Sequence, residues 1–232
     1  MIVGIHQPNY LPWLAYFRKI ADADRFVFFD NVQMPIGKSL ISRNRIKTAQ
    51  GVRWLTVPTH RDSTGASISD TPVADGPWPR KHRKTIEAAY AGSPWLAEVM
   101  DRLDGLLATA VDRSIADLNI AIIRSLVRYL ELGDTELLCA TGMDLRRRGA
   151  DSIGEILEKS GATVYLTGAG VGSMRYLDEA RLRKQGIEAR FLDSNFVAYP
   201  QRHGDYVGEL SILDALLNCG PEKTRALIVT ST

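Results

Sequence analysis

Ile2-Val3-Gly4-Ile5-His6 at the start of the chain, and Arg25-Phe26-Val27-Phe28-Phe29-Asp30 one helix length later, decide how this sequence folds. Both blocks are short, apolar and rich in β-branched or aromatic residues, the pattern of strands buried on both faces. Between them Leu11, Leu14, Tyr16, Phe17 and Ile20 recur at helical spacing and predict a helix from about Tyr10. Pro12 falls in its first turn, where a missing N–H costs nothing. Strand, helix and strand in so short a span form a βαβ unit, so the sheet is at least partly parallel.

Working outward, residues 31–50 show little apolar periodicity and read as a long loop, with strand-like residues 52–59 and an extended edge segment at 67–73. A helical block follows at 79–90, 95–107 and 115–132. The α/β alternation then resumes: strands at 135–140, 163–166 and 188–192, and helices at 152–159, 177–184 and 211–218. Gly186 and Gly220 stand where helix stops are expected, and Ser211 with Asp214 reads as a capping-box variant. The expected architecture is α/β, a partly parallel Rossmann-like sheet with flanking helices. It forms a single domain over residues 1–232, with a helical middle insert or lobe at about 79–132.

The composition fits a globular chain: 232 residues, 45% hydrophobic and 24% charged, with 19 Gly and 10 Pro. The 29 Lys and Arg against 27 Asp and Glu leave a net charge of +2, so an anion site should be local rather than a track for a long polyanion. Cys139 and Cys219 match neither a zinc spacing nor a disulfide framework and read as buried thiols of a reducing compartment. No apolar run reaches membrane-span length and the N-terminus starts directly as a strand, so a cytoplasmic location is expected.

In parallel sheets ligands gather at the carboxyl ends of strands. There the first strand offers His6, Gln7, Asn9 and Tyr10 ahead of a helix start, a setting that favours anions, although Asn9 could simply cap the helix. The second strand ends at Asp30, followed by Asn31 and Gln33. Asp30 could orient His6, hold an amine, bind a ribose hydroxyl or open a turn. The loop cations Lys38, Arg43, Arg45 and Lys47, with Asn44 among them, suit a phosphate or carboxylate. Lys81 and His82 sit in a second basic cluster, at a helix start where cations oppose the macrodipole. Gly168 belongs to a glycine-rich turn, Thr167-Gly168-Ala169-Gly170, that lacks the P-loop ending. His6, His60, His82 and His203 fall into no metal-ligand spacing, so no bound metal is expected. No nucleophile elbow and no activated cysteine is present.

His6-Gln7-Pro8-Asn9-Tyr10-Leu11-Pro12-Trp13 followed by Asp24 to Gln33 closely resembles the WbqC-like protein family. Asn44-Arg45-Ile46-Lys47, Trp54-Leu55-Thr56-Val57-Pro58, Trp78 with Lys81-His82, Tyr165-Leu166-Thr167-Gly168 with Tyr176-Leu177-Asp178, and Leu210 to Asp214 with Asn218-Cys219-Gly220 extend the resemblance over nearly the whole chain. The family usually has Leu-Ser-Gly where this chain has Leu-Thr-Gly. The resemblance implies a bacterial enzyme of surface-polysaccharide or specialised-metabolite biosynthesis that transfers an acyl or aminoacyl group to the amine of an amino sugar or an amino-acid-like metabolite. A weaker likeness, to nucleotidyltransferases of the H-x-G-H type, meets His6-Gln7-Pro8-Asn9 here and lacks the glycine and second histidine.

These readings assign His6 as base or orienter, with Asp30 and Lys47 beside it. Lys38, Arg45, Lys47 and Lys81 would hold an anionic donor or nucleotide-sugar. Gln7, Asn44 and Gln201 would orient it, and Asn9, Tyr10, Gln33, His82, Gly168 and Tyr176 would complete the substrate site. A carrier protein or tRNA could deliver the group. Two alternatives stand beside this: a nucleotidyltransferase-like enzyme using a nucleoside triphosphate with Mg²⁺, and a non-catalytic binding protein with a basic loop.

Overall fold

A computed structural model describes residues 1–60, 65–174 and 177–230. Its centre is a sheet of five parallel strands: β1 (Ile2–His6), β2 (Arg25–Phe28), β5 (Glu136–Cys139), β6 (Val164–Thr167) and β7 (Glu188–Phe191), in the order β5-β2-β1-β6-β7. Two further strands, β3 (Arg43–Thr48) and β4 (Gly51–Thr56), make a separate antiparallel hairpin. The first βαβ unit thus lies at the sheet centre, and the order reverses between β1 and β6, the switch point of a Rossmann-like fold.

The alternation of side chains along β1 sets its two faces. Gly4 and His6 point to the side of helix α1 (Leu14–Ala21), as do their register partners Phe26 and Phe28 in β2. The Tyr16 ring of α1 packs 5.4 Å from Phe26, and Arg124 of helix α4 (Ile115–Tyr129) lies over Phe28 at 5.9 Å. Gly4 permits this approach: a Cβ there would meet Lys19 Cγ and Phe26 Cδ2, each at 3.2 Å. The right-handed crossover rule places α5 (Ser152–Lys159) and α7 (Glu179–Lys184), the latter preceded by the short α6 (Val171–Met174), on the opposite face, because β5 to β6 runs back across the sheet.

Helices α2 (Trp78–Ala89), α3 (Leu96–Ala108) and α4 share one buried apolar cluster with the sheet and with α8 (Ile212–Cys219). Among the described residues no helix is long and apolar enough to cross a membrane.

Four expectations need correction. Helix α1 starts at Leu14 rather than Tyr10: residues 10–13 turn, with Leu11 at φ 42°, and Asn44 Nδ2 donates to the carbonyls of Tyr10 and Leu11 at 3.1 and 2.7 Å to hold them. The residue before α1 is Trp13, without a side-chain cap, so Asn9 does not cap this helix. Residues 43–48 are a strand rather than loop, because pairing with β4 satisfies their backbone and buries Asn44 and Ile46 on one side. A helix after Gly220, α9 (Pro221–Val229), was not anticipated; it packs on α1, where Arg18 donates to the carbonyl of Leu227 at 3.4 Å.

Gly220 ends α8 at φ 84° and ψ 171°, a region closed to residues with a Cβ, and a Cβ there would lie 2.5 Å from the Trp95 ring. Gly220→Ala is therefore expected to destabilise the fold by about 2–4 kcal/mol in urea unfolding. Adding Trp95→Ala should relieve the clash but not the backbone strain. A Gly220→Ala loss below about 0.5 kcal/mol would contradict this account.

Candidate functional site at the carboxyl edge of the sheet

At the carboxyl edge of β1 and β2 a cleft of about 470 Å³ opens, lined by Gln7, Phe29, Val32, Gln33, Met34, Pro35, Ile36 and Gly149. Gln7 and Phe29 extend the strands by one residue and alternate to the face opposite α1. Its walls are apolar, Ile36 being 85% exposed, and among the described residues that line it the side-chain amides are Gln7 and Gln33. An isolated bridge from Gln33 to Ser67 anchors the far wall.

His6 sits on the α1 side of the same strand end. Its ring packs edge-on at 4.8 Å from Tyr16 and 5.8 Å from Trp13. Its Nδ1 lies 3.0 Å from the Gln7 carbonyl, which also accepts from the Tyr16 hydroxyl at 3.0 Å. A carbonyl only accepts, so Nδ1 carries the proton and Nε2 is the unprotonated nitrogen, without a hydrogen-bond partner among the described residues. Burial, with the nearby Lys19 ammonium adding to it against the Gln7 carbonyl, lowers the His6 pKa to about 3. Lys19 is itself 4% exposed, and burial lowers its pKa to about 8.

Asp30 is buried at the end of β2, but it does not bond His6. Its carboxylate accepts from Thr141 N at 2.9 Å and from Thr141 Oγ1 at 2.7 Å, tying β2 to the segment after β5.

Lys47 is engaged elsewhere too. Its ammonium donates to Gln201 Oε1 at 3.3 Å, to Gly204 O at 2.9 Å and to Asp205 O. Gln201 in turn brackets the Val207 backbone, accepting from N at 2.8 Å and donating to O at 2.9 Å. These two predicted site residues clamp an irregular strap, residues 199–210, onto β3. Arg45 donates to Glu209 O at 3.1 Å and serves the same strap. His82 donates from Nε2 to Thr56 O (3.1 Å), so its Nδ1 accepts from the buried Tyr10 hydroxyl (3.0 Å) and joins α2 to the turn before α1. Asn9 is buried, whereas Lys38 and Lys81 are exposed. Gly168 has an ordinary backbone; its smallness is used by Ser173 Oγ, 3.2 Å from where a Cβ would stand. Tyr176 lies outside the described residues.

The cleft therefore unites Gln7 and Gln33, with His6 behind the first. It does not gather His6, Asp30 and Lys47 by direct bonds. Sequence reasoning passed over Asn119, fully buried on α4, whose Nδ2 donates to Pro8 O and Ile41 O at 2.8 Å each and fixes the loop after β1. It also passed over Thr141, and it read Asp214 as part of a capping box, whereas the Asp214 carboxylate accepts from Tyr90 and Tyr199.

Burial lowers the His82 pKa to about 4, against the Thr56 carbonyl. The fold thus keeps His6 and His82 neutral, while the unfolded chain protonates them near pH 6.5. The unfolded state binds the extra protons below pH 6.5, so the stability that the two histidines contribute is full above that value and falls on acidification. Between pH 6.5 and 5 each ring should remove up to about 1.4 kcal/mol per pH unit. Urea midpoints across this window should show the slope, and His82→Gln should reduce it by about half. A flat wild-type profile over this window would contradict both assignments.

A five-stranded parallel sheet in Rossmann-like order, with an amide-edged cleft at the carboxyl edge of β1 and β2, defines a protein of the α/β class. The chain belongs to the WbqC-like protein family, which it matches over residues 7–226. It is 29% identical over 222 residues to the uncharacterized protein Rv1507c of Mycobacterium tuberculosis, covering 95% of this chain and 94% of that protein. No solved structure matches it.

Proposed function

We propose that this protein is a cytoplasmic biosynthetic transferase that moves an acyl or aminoacyl group onto the amine of an amino sugar or an amino-acid-like metabolite. The observation that carries the reading is the cleft: apolar walls with two uncharged amides, Gln7 and Gln33, at the carboxyl edge of the sheet. Apolar walls suit an acyl chain, and a glutamine amide can both donate to a carbonyl and accept from an amine. In the reaction a C–N bond forms as the bond from the carbonyl carbon to its leaving group breaks; the leaving group takes that electron pair and accepts the amine proton as it departs. His6 does not line the cleft; from the α1 side of the strand end it fixes the backbone of Gln7. The donor is a small anionic molecule or a carrier protein or tRNA bearing the group.

Thermal stabilisation at matched salt tests this, with acyl-coenzyme A, free amino acids, nucleotide-linked amino sugars and nucleoside triphosphates with Mg²⁺ as the panel. A ligand at 100 times its Kd adds about 2.7 kcal/mol of stability. The expected result is a shift with an acyl or amine compound that Gln33→Leu abolishes. A shift with nucleoside triphosphate and Mg²⁺ alone, unaffected by Gln33→Leu, would overturn the reading.

A further inference from the structure

Three consecutive arginines, Arg146-Arg147-Arg148, follow β5 and precede α5. Such a run normally repels itself into solvent, but here its backbone is clamped. The Glu155 carboxylate accepts from Arg146 N at 2.9 and 3.1 Å and from Arg147 N at 2.9 Å, and these backbone bonds hold it below the usual carboxylate range. Lys159 Nζ fixes the preceding residues through the carbonyls of Met143 and Asp144, at 2.8 and 2.5 Å. Arg147 and Arg148 then line an open basin with Asp151 and with Arg181 of α7. Arg181 reaches the basin across Gly154 of α5, where a Cβ would stand 3.4 Å from its Nη2. A glycine inside a helix costs about 1 kcal/mol relative to alanine, and this one makes room for the guanidinium.

Among the described residues none of these three guanidinium groups makes an ion pair or a side-chain hydrogen bond. Three cations with one carboxylate, Asp151, also stand at the positive end of the α5 dipole, where cations are disfavoured. Arg147 and Arg148 are exposed, so the excess charge of the basin faces solvent and is open to an anion. Gly149, next to Arg148, lines the cleft described above, so basin and cleft adjoin along one chain segment.

We propose that Arg147, Arg148 and Arg181 form a binding site for the phosphate or diphosphate group of the ligand whose transferred part enters the cleft. Planar guanidinium forks from two elements match phosphate oxygens bidentately, which lysines could not do. This inference rests on the proposed transfer reaction for the identity of the ligand's other half, but the anion site stands on its own geometry.

Calorimetric titration with inorganic pyrophosphate at fixed ionic strength tests it. Saturable binding is expected, weakened about tenfold or more in Arg147→Gln and in Arg181→Gln. Arg183→Gln, on the exposed side of α7, should leave it unchanged. Loss of binding in Arg183→Gln equal to that in Arg181→Gln, or no saturable binding to the wild type, would overturn the site. Gln33→Leu separates the two claims: it should leave pyrophosphate affinity intact while abolishing the shift from an acyl or amine compound. Pyrophosphate binding without any such shift would remove the transfer reading and keep the anion site.

Discussion

Asp214→Ala should lower the stability of the fold by about 3–5 kcal/mol, measured from urea unfolding at pH 7. Asp214 is fully buried on α8, and its two oxygens accept from the hydroxyls of Tyr90 (2.7 Å) and Tyr199 (2.9 Å), themselves 0% and 6% exposed. Burial pushes the Asp214 carboxyl above its ordinary value, while the two phenols oppose that shift. Burial, and then the carboxylate, push both phenols up. Removing the acceptor leaves two buried donors unpaired, each costing about 1–3 kcal/mol, and loosens the strap that Lys47 and Gln201 hold against β3. Asp214→Asn keeps one acceptor and should lose roughly half as much. Adding Tyr90→Phe to Asp214→Ala should restore about 1 kcal/mol by deleting an orphaned hydroxyl. An Asp214→Ala protein within 1 kcal/mol of wild type would show that the phenols find other partners.

That network also shows where the sequence stops being readable. The β1-α1-β2 unit was legible because buried parallel strands are apolar throughout and their helix repeats at a fixed spacing. Asn44, Lys47, His82 and Gln201 looked like ligand-binding residues because polar side chains gathered in loops have two uses. In space they satisfy backbone carbonyls of turns and of a strap that lacks a sheet partner, including Leu11 O, Thr56 O, Gly204 O and Asp205 O. Which use applies depends on what lies opposite, and spacing along the chain does not carry that. Arg43 to Thr48 read as loop because its cations conceal the alternation that buries Asn44 and Ile46. The basin at Arg147, Arg148 and Arg181 was hidden for a related reason. Its members lie on two elements, and the arginine run becomes a fixed surface through Glu155, in the first turn of α5.

His6→Ala should reduce the rate of the proposed group transfer about 10²-fold or more, the cost of misplacing a positioned group such as the Gln7 amide. The imidazole is placed by three neighbours at the end of the central strand: the Trp13 and Tyr16 rings and the Gln7 carbonyl. Its Nδ1 proton is fixed by that carbonyl, which leaves Nε2 unprotonated. Because burial and Lys19 lower its pKa to about 3, the ring is neutral across the physiological range. The pH–rate profile should therefore carry no limb near 6.5 from this residue, and its imidazole resonances should titrate below pH 5. Lys19→Met removes the neighbouring cation, so the titration should move upward while transfer persists. His6→Gln should retain more activity than His6→Ala if the main service is to hold Gln7, and no more if Nε2 takes the proton. Wild-type turnover in His6→Ala would place the chemistry wholly on the Gln7 side of the strand.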